Sequence, residues 1–207
     1  GWGESVGKTL IARDNTLYTK LAATAAAGSD ARMNGCALPV VINSGSGNQG
    51  MTIGIPVALY AQEKGLSKEK MYRALCVANL IAAHQKTSIG KLSAFCGAIS
   101  ATCSSGAALT YIEGGTLEQI SHTITNTLAV TAGIICDGAK PSCGAKIATG
   151  LHAAIYAHQL ATVGRAYSVG DGIVCHDADA TIRGIGHIAR EGMATTDVQI
   201  MDVMLST

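Results

Sequence analysis

Residues 93–146 read SAFCGAISATCSSGAALTYIEGGTLEQISHTITNTLAVTAGIICDGAKPSCGAK. One cysteine spacing occurs twice, Cys96-x6-Cys103 and Cys136-x6-Cys143, on either side of the segment Thr116–Ala132. The first copy consists almost wholly of small residues, which let backbones approach closely. Seven residues are two helical turns, so a helix over Phe95–Tyr111 carries Cys96 and Cys103 nearly on one face. Thr116-x-x-Gln119 is a capping box, and it opens a helix on which Leu117, Ile120, Ile124 and Leu128 align. After Pro141, a helix over residues 143–163 turns Ile147, Leu151 and Ile155 inward. The stretch reads as three helices, and it sets the class as mainly α. Thiolates suit iron–sulfur clusters, zinc and copper(I). The spacing is not the Cys-x2-Cys pairing of zinc fingers or ferredoxins. A cluster held here needs ligands that folding brings together from distant positions.

Upstream, Ser5–Ala27 reads as one Ala-rich helix ending at Gly28-Ser29-Asp30. Cys36–Ile42 is a short apolar run, read either as a buried strand or as an extended entry segment. It leads into NSGSGNQGM, Asn43 to Met51, after which Thr52 opens an apolar segment. Small residues there expose backbone N–H groups, and a helix N-terminus behind them favours an anion. The functional reading of Asn43, Ser44, Gly45, Ser46, Gly47, Asn48 and Gln49 is a carboxylate or phosphate cradle. The plain reading is a Gly-rich connector. It is neither a Walker loop nor a dinucleotide fingerprint. Ser67 caps a helix over Lys68–Ala83 with Met71, Leu75, Ala78 and Ala82 on one stripe. Lys86–Lys91 reads as a polar break. Downstream, Tyr167–Asp171 is a connector, and Asp177–Glu191 and Thr196–Leu205 are two short amphipathic helices.

The 207 residues suffice for one domain with a sizeable core. A formal charge of +1 gives no electrostatic footprint for nucleic acid or an anionic membrane. Charged residues make up 14% and aromatics 4%, a balance that suggests closely packed helices with much buried surface. Leu92–Ile112 and Gln119–Cys136 approach the ~20 apolar residues of a membrane span. Both carry too much Ser, Thr, Asn and Gly, and neither has basic flanks or an aromatic belt. Seven cysteines without a targeting pattern point to a reducing cytoplasm and free thiols. The chain starts with Gly, not Met, so residues 1–207 are expected to be a single helical domain forming the C-terminal part of a longer catalytic chain.

The six histidines form no familiar metal-ligand spacing. His152 and His158 follow the second cysteine pair; each is read first as a packing histidine. Asp137 is placed to orient a ligand or to cap a turn, and Lys140 to meet a substrate carboxylate or to stay solvated. Cys36, Cys76 and Cys175 are expected to be inert, buried thiols. Gly45-Ser46-Gly47 falls short of a nucleophile elbow.

Taken in order, NSGSGNQG, AFCGAISATCSSGAA and IICDGAK resemble the α-chain of iron–sulfur-dependent L-serine dehydratases and, more closely, their L-cysteine desulfidase relatives. The resemblance covers most of the chain. It implies a compact helical domain of serine dehydratase α-chain type with a Gly-rich substrate loop. It also implies a [4Fe–4S] cluster and elimination of water or hydrogen sulfide from a small amino-acid substrate. Carried onto this chain, it makes Cys96 and Cys136 cluster ligands. The desulfidase branch draws a third from a Cys-Thr-Glu-Pro motif, which this chain lacks, so a missing N-terminal half or a partner chain is expected. The dehydratase branch reads Cys-Asp-Pro-Val with a further cysteine eleven residues on. Here the motif is Cys-Asp-Gly-Ala-Lys, the eleventh position is Ile147, and Cys143 stands nearby as a substitute ligand. The Asn43–Gln49 loop would hold carboxylate and amine, with Lys140 and His152 as candidates for the base. A homo-oligomer is expected. Two other readings stand beside this one. SGSGNQG echoes the carboxylate loop of pyridoxal-phosphate β-eliminating enzymes, although Lys20 is poorly placed for a Schiff base and Gly114-Gly115 is too short for a phosphate loop. The other is a non-catalytic helical scaffold or regulatory chain.

Overall fold

The computed structural model describes residues 3–90 and 92–206. Nine α-helices run through them: α1 Val6–Arg13, α2 Leu17–Met33, α3 Gly47–Glu63, α4 Lys68–Ile89, α5 Gly97–Ile112, α6 Leu117–Thr131, α7 Cys143–Thr162, α8 Ala178–His187 and α9 Ala194–Leu205. Among the described residues, β-type pairing is limited to two isolated bridges, Asn43 with Ser46 and Phe95 with Ile135. The mainly α class holds, and among the described residues no helix is long and apolar enough to cross a membrane.

The architecture is organised around α5, which packs against α3, α4, α6 and α7. All its residues except Gly97 and Tyr111 are buried, as expected of a helix that is small and apolar on every side. Its hydroxyls are satisfied internally. Thr102, Ser104 and Thr110 donate to carbonyls three or four residues back, and Ser105 also reaches Thr52 O on α3 at 2.6 Å. Close approach to α7 depends on missing side chains. A Cβ on Gly106 would lie 2.9 Å from Ala154 O, and one on Gly150 would lie 2.7 Å from Ile99 Cδ1.

Several expected boundaries shift. The single helix over Ser5–Ala27 is two, because Asp14 turns extended and Thr16 caps α2 through Thr19 N. α2 then runs on through Gly28 to Met33; Gly28 faces Met51 and Ile55 of α3, so packing overrides a residue that usually ends helices. The residues expected as a polar break are helical as far as Ile89, and Gly90 ends α4 with φ +92°; Lys91 lies outside the described residues. The loop Asn43–Met51 is shorter than read, since Ser46 caps α3 through Gln49 N and the helix starts at Gly47. Thr116 and Gln119 form the expected capping box. Leu117, however, is 79% exposed and takes no part in the core stripe. Asp177 caps α8, which passes through a π-helical turn at Ile188–Gly192 into α9.

Candidate functional site

Two loops that are distant in sequence meet at the start of α5. Cys96 N donates to Ile134 O at 3.2 Å and Cys136 N donates to Ala94 O at 2.7 Å, which makes Phe95 and Ile135 an antiparallel pair. That short ladder sets Cys96 and Cys136 side by side, close enough for their sulfurs to share a hydrogen bond. Cys96 is the N-cap of α5 and is buried; Cys136 is half-buried. The shared hydrogen bond, then burial, push the Cys96 thiol up. The same bond moves Cys136 the other way, towards thiolate, helped by the Gly138 N–H and the Lys146 ammonium. Lys146 is itself held by an ion pair with Asp137 and donates to Ile135 O at 3.2 Å, so it braces the second loop from behind.

An open cavity of about 880 Å³ has Cys136 of this pair in its wall. Its walls come from the turn before α3 (Ser44, Gly45, Ser46), from Gln49 in the first turn of α3, from Lys86 and Thr87 near the end of α4, and from Phe95, Gly97 and Cys136. Asn43-Ser44-Gly45-Ser46 is a type I′ turn. Ser44 has φ +50° and Gly45 φ +79°, closed by Asn43 N to Ser46 O at 3.3 Å and Ser46 N to Asn43 O at 3.0 Å. A serine in the left-handed region is uncommon, and such backbone clusters at ligand sites.

Gly97 has no side chain where two polar groups converge. A Cβ there would lie 2.6 Å from Gln49 Nε2 and 3.2 Å from Lys86 Nζ. Gln49 is 7% exposed, and neither its amide nor the Lys86 ammonium has a hydrogen-bond or ion-pair partner among the described residues. Burial lowers Lys86 from its ordinary value, opposed by the sulfurs of Cys96 and Cys136.

Of the loop residues proposed as a cradle, Ser44, Gly45, Ser46 and Gln49 line the cavity. Asn43, Gly47 and Asn48 do not. Asn43 donates to Asn79 of α4 at 2.9 Å, and Asn48 accepts from Arg32 of α2 at 3.2 Å. Cys143 is buried in the first turn of α7, where its sulfur accepts from Lys140 N and donates to Gly138 O. Among the described residues no three His, Cys, Asp or Glu side chains gather to hold a metal, and this is true of Cys96 and Cys136 as it is of Cys143. Lys140 is exposed beside that turn. His152 lies nine residues along α7 from Cys143, roughly 13 Å down the axis, within electrostatic reach of Asp14, and it is not part of the cavity wall. Cys103 points into the core, with its sulfur 3.8 Å from Ile124 O. Cys76 is exposed and Cys36 and Cys175 are half-buried, so the buried setting expected for these three is not found.

Lys86 and Gly97 were not picked out from the sequence. A signal existed for Lys86. The buried stripe of α4 runs through Ala78 and Ala82, and one more turn along it lie Gln85, fully buried, and Lys86. Continuing the stripe, in place of a break, would have turned a lysine towards the interior.

Residues 2–202 match the family model of the serine dehydratase alpha chain. A "UPF0597 protein" of Finegoldia magna is 50% identical over 204 residues, 99% of this chain and 49% of its own length. A "UPF0597 protein" of Treponema denticola is 54% identical over 87% of this chain and 42% of its own, and one of Bacteroides fragilis is 39% identical over 98% and 49%. The chain thus spans about half the length of the curated relatives it matches. The paired cysteines, the turn before α3 and the helices that carry them all fall within the matched residues, and the chain belongs to the serine dehydratase alpha chain family.

Proposed function

We propose that this chain carries the main part of the active site of an iron–sulfur-dependent β-elimination lyase acting on a small amino acid. The substrate is L-cysteine, giving pyruvate, ammonia and hydrogen sulfide, or L-serine, giving pyruvate and ammonia. The observation that supports the reading is the Phe95–Ile135 bridge, which sets two thiols side by side, one of them, Cys136, in the wall of an open cavity. Soft, paired sulfurs suit iron. Cys96 and Cys136 fit as two ligands of a [4Fe–4S] cluster, and the remaining ligand comes from the other half of the protein or a partner chain. When bound, such a cluster supplies an open iron that acts as a Lewis acid on the β-leaving group.

The chain's own residues account for the rest of the site. The type I′ turn brings Ser44, Gly45 and Ser46 to the cavity wall, with the Ser44 hydroxyl donating to Asn43 Oδ1 and the Ser46 hydroxyl accepting from Gln49 N, and Phe95 forms an apolar wall that limits water. In the reaction the α-proton goes to a base and the Cβ–S or Cβ–O bond breaks with its electron pair leaving on sulfur or oxygen. The resulting 2-aminoacrylate tautomerises to an imine, which water hydrolyses to pyruvate and ammonia. Lys140 and His152 lie away from the cavity wall, so a base in this chain must come from the lining residues or reach the cavity by movement of the 137–142 loop.

The test is anaerobic purification of the full-length protein, with iron, acid-labile sulfide and pyruvate formation measured on both amino acids. Iron with sulfide and turnover is the expected result. Residues 1–207 alone are expected to hold no intact cluster and to be inactive. A chromophore bleached by borohydride would replace the reading with pyridoxal phosphate, and absence of iron, chromophore and turnover would leave a scaffold.

A further inference from the structure

We infer that Lys86 and Gln49, converging over Gly97, bind the substrate's carboxylate and so orient its β-substituent towards Cys136 in the same cavity. The inference rests on the lyase reading for the identity of the site, but its chemistry is independent of iron. Three observations carry it. Lys86 is the charged side chain among the cavity's lining residues, with no carboxylate beside it there. Its ammonium and the amide of Gln49, a residue 7% exposed, have no hydrogen-bond or ion-pair partner among the described residues. Gln49 is a buried residue and Lys86 a half-buried one, and two unpartnered donors facing one cavity suit an acceptor that arrives from outside. Finally, both groups sit where the first turns of α3 and α5 meet, and the positive ends of those helices add to the field an anion would feel.

The local sequence makes room for this. Gly97 follows Cys96 directly, so the spot where the two nitrogens converge is one residue from the sulfur pair. A carboxylate on Lys86 and Gln49 therefore shares one cavity with Cys136. A second acidic group would find no further basic partner among the described lining residues.

The experiment uses the full-length protein and two unreactive probes, L-alanine and L-alaninamide, which share the amine and differ in the carboxylate. Dissociation constants are measured by calorimetry, or by ligand-observed NMR if binding is weak. Variants are Lys86→Met, Lys86→Arg, Gln49→Leu and Gly97→Ala, with circular dichroism as a check on folding. Gly97→Ala matters because the atoms it would meet are the ends of flexible side chains, so the fold tolerates it while the two donors are pushed aside. L-Alanine is expected to bind wild type about tenfold or more tightly than the amide, the size of effect a lost charge-assisted hydrogen bond produces. Lys86→Met should abolish that preference, Gln49→Leu and Gly97→Ala should weaken it, and Lys86→Arg should retain most of it. Equal binding of acid and amide, no binding of L-alanine by wild type, or an unchanged preference in Lys86→Met would each overturn the inference. Loss of kcat in Lys86→Met with unaltered L-alanine binding would overturn it too, since a proton-transfer role would then explain the lysine. The two proposals fail separately. A Lys86-dependent carboxylate preference in a protein without iron keeps the anchor and removes the cluster. Iron and turnover with a Lys86-independent preference do the reverse.

Discussion

Four cysteines share one spacing, yet their surroundings differ. Cys96 and Cys136 meet across the bridge between their loops, Cys103 points at α6, and Cys143 is held by its own turn. Changing Cys96 or Cys136 to Ser is expected to abolish iron retention by the full-length protein, because a hydroxyl is a harder and poorer ligand than thiolate. Cys103→Ser should keep iron near the wild-type level. Its cost should instead be in stability, roughly 1–3 kcal/mol for a polar group in an apolar site. Cys143→Ser should also keep its iron, since its sulfur already serves the Gly138–Lys140 turn. Iron and sulfide per chain in the four variants check all of this. Loss at every position would mean four ligating thiols and no open iron, and the elimination mechanism would fall. At this scale the residue types were legible in the sequence but the partners were not. The contact between positions 96 and 136 depends on two backbone hydrogen bonds that no local pattern announces.

The turn and first residues of α3 carry most of the information at the level of elements. Read as one polar loop, Asn43 and Asn48 look equivalent and dispensable for the fold. In the structure Asn48 is 6% exposed and receives the Arg32 guanidinium, which ties α3 to α2. Asn48→Ala is therefore expected to destabilise the protein by about 1–3 kcal/mol, because it empties a buried site and removes the acceptor of the half-buried Arg32. Asn43→Ala should cost less, since that bond to Asn79 lies nearer the surface. Gly50→Ala should be severe, as its Cβ would overlap the Val41 carbonyl, a backbone atom that cannot turn aside. Urea midpoints order the three. Asn43→Ala as damaging as Gly50→Ala would show that the turn, not the packing of α3 on the extended segment, holds this element in place. The helix α3 itself was expected from its apolar run. Its start was misplaced because Gly47 to Gly50 look like loop until the close contacts that demand small residues are known.

At the far end of α5 from the cysteines, a polar network joins four helices. His158 of α7 is 1% exposed; its Nδ1 lies 2.9 Å from Thr110 Oγ1 and its Nε2 3.3 Å from Glu113 Oε2. Tyr18 of α2 donates to Glu113 Oε1 at 3.0 Å, and Tyr60 of α3 faces the same carboxylate. Burial raises Glu113, but the hydrogen bond and charge of His158, with the two phenols, outweigh it and hold the carboxyl at about 2. The same surroundings push Tyr18 up to about 12, with burial the leading cause. An unfolded glutamate titrates near ~4.3. A depressed folded value contributes stability that is fully present above that point and is lost as pH falls towards 2. Glu113→Gln is expected to lower stability at pH 6, and the gap to wild type should narrow by pH 3. Denaturant midpoints at the two pH values test this, and a constant gap would show that the carboxylate's charge contributes nothing.

By itself, the sequence determined the class and most of the helices, but not all of their bounds. Apolar residues at helical spacing, the Thr116–Gln119 capping box and the Ser67 cap are local signals, and local hydrogen bonding answers to them. It also held the motifs that resemble the family to which the chain belongs. Only the tertiary structure decided which cysteines meet, that Lys86 is on the inward face of α4, and that Gly97 is bare because two polar groups occupy the space above it. These facts arise from the packing of α3, α4 and the 134–136 loop around one end of α5. Such contacts join residues tens of positions apart, and a periodicity read along a single helix carries no record of what lies across from it.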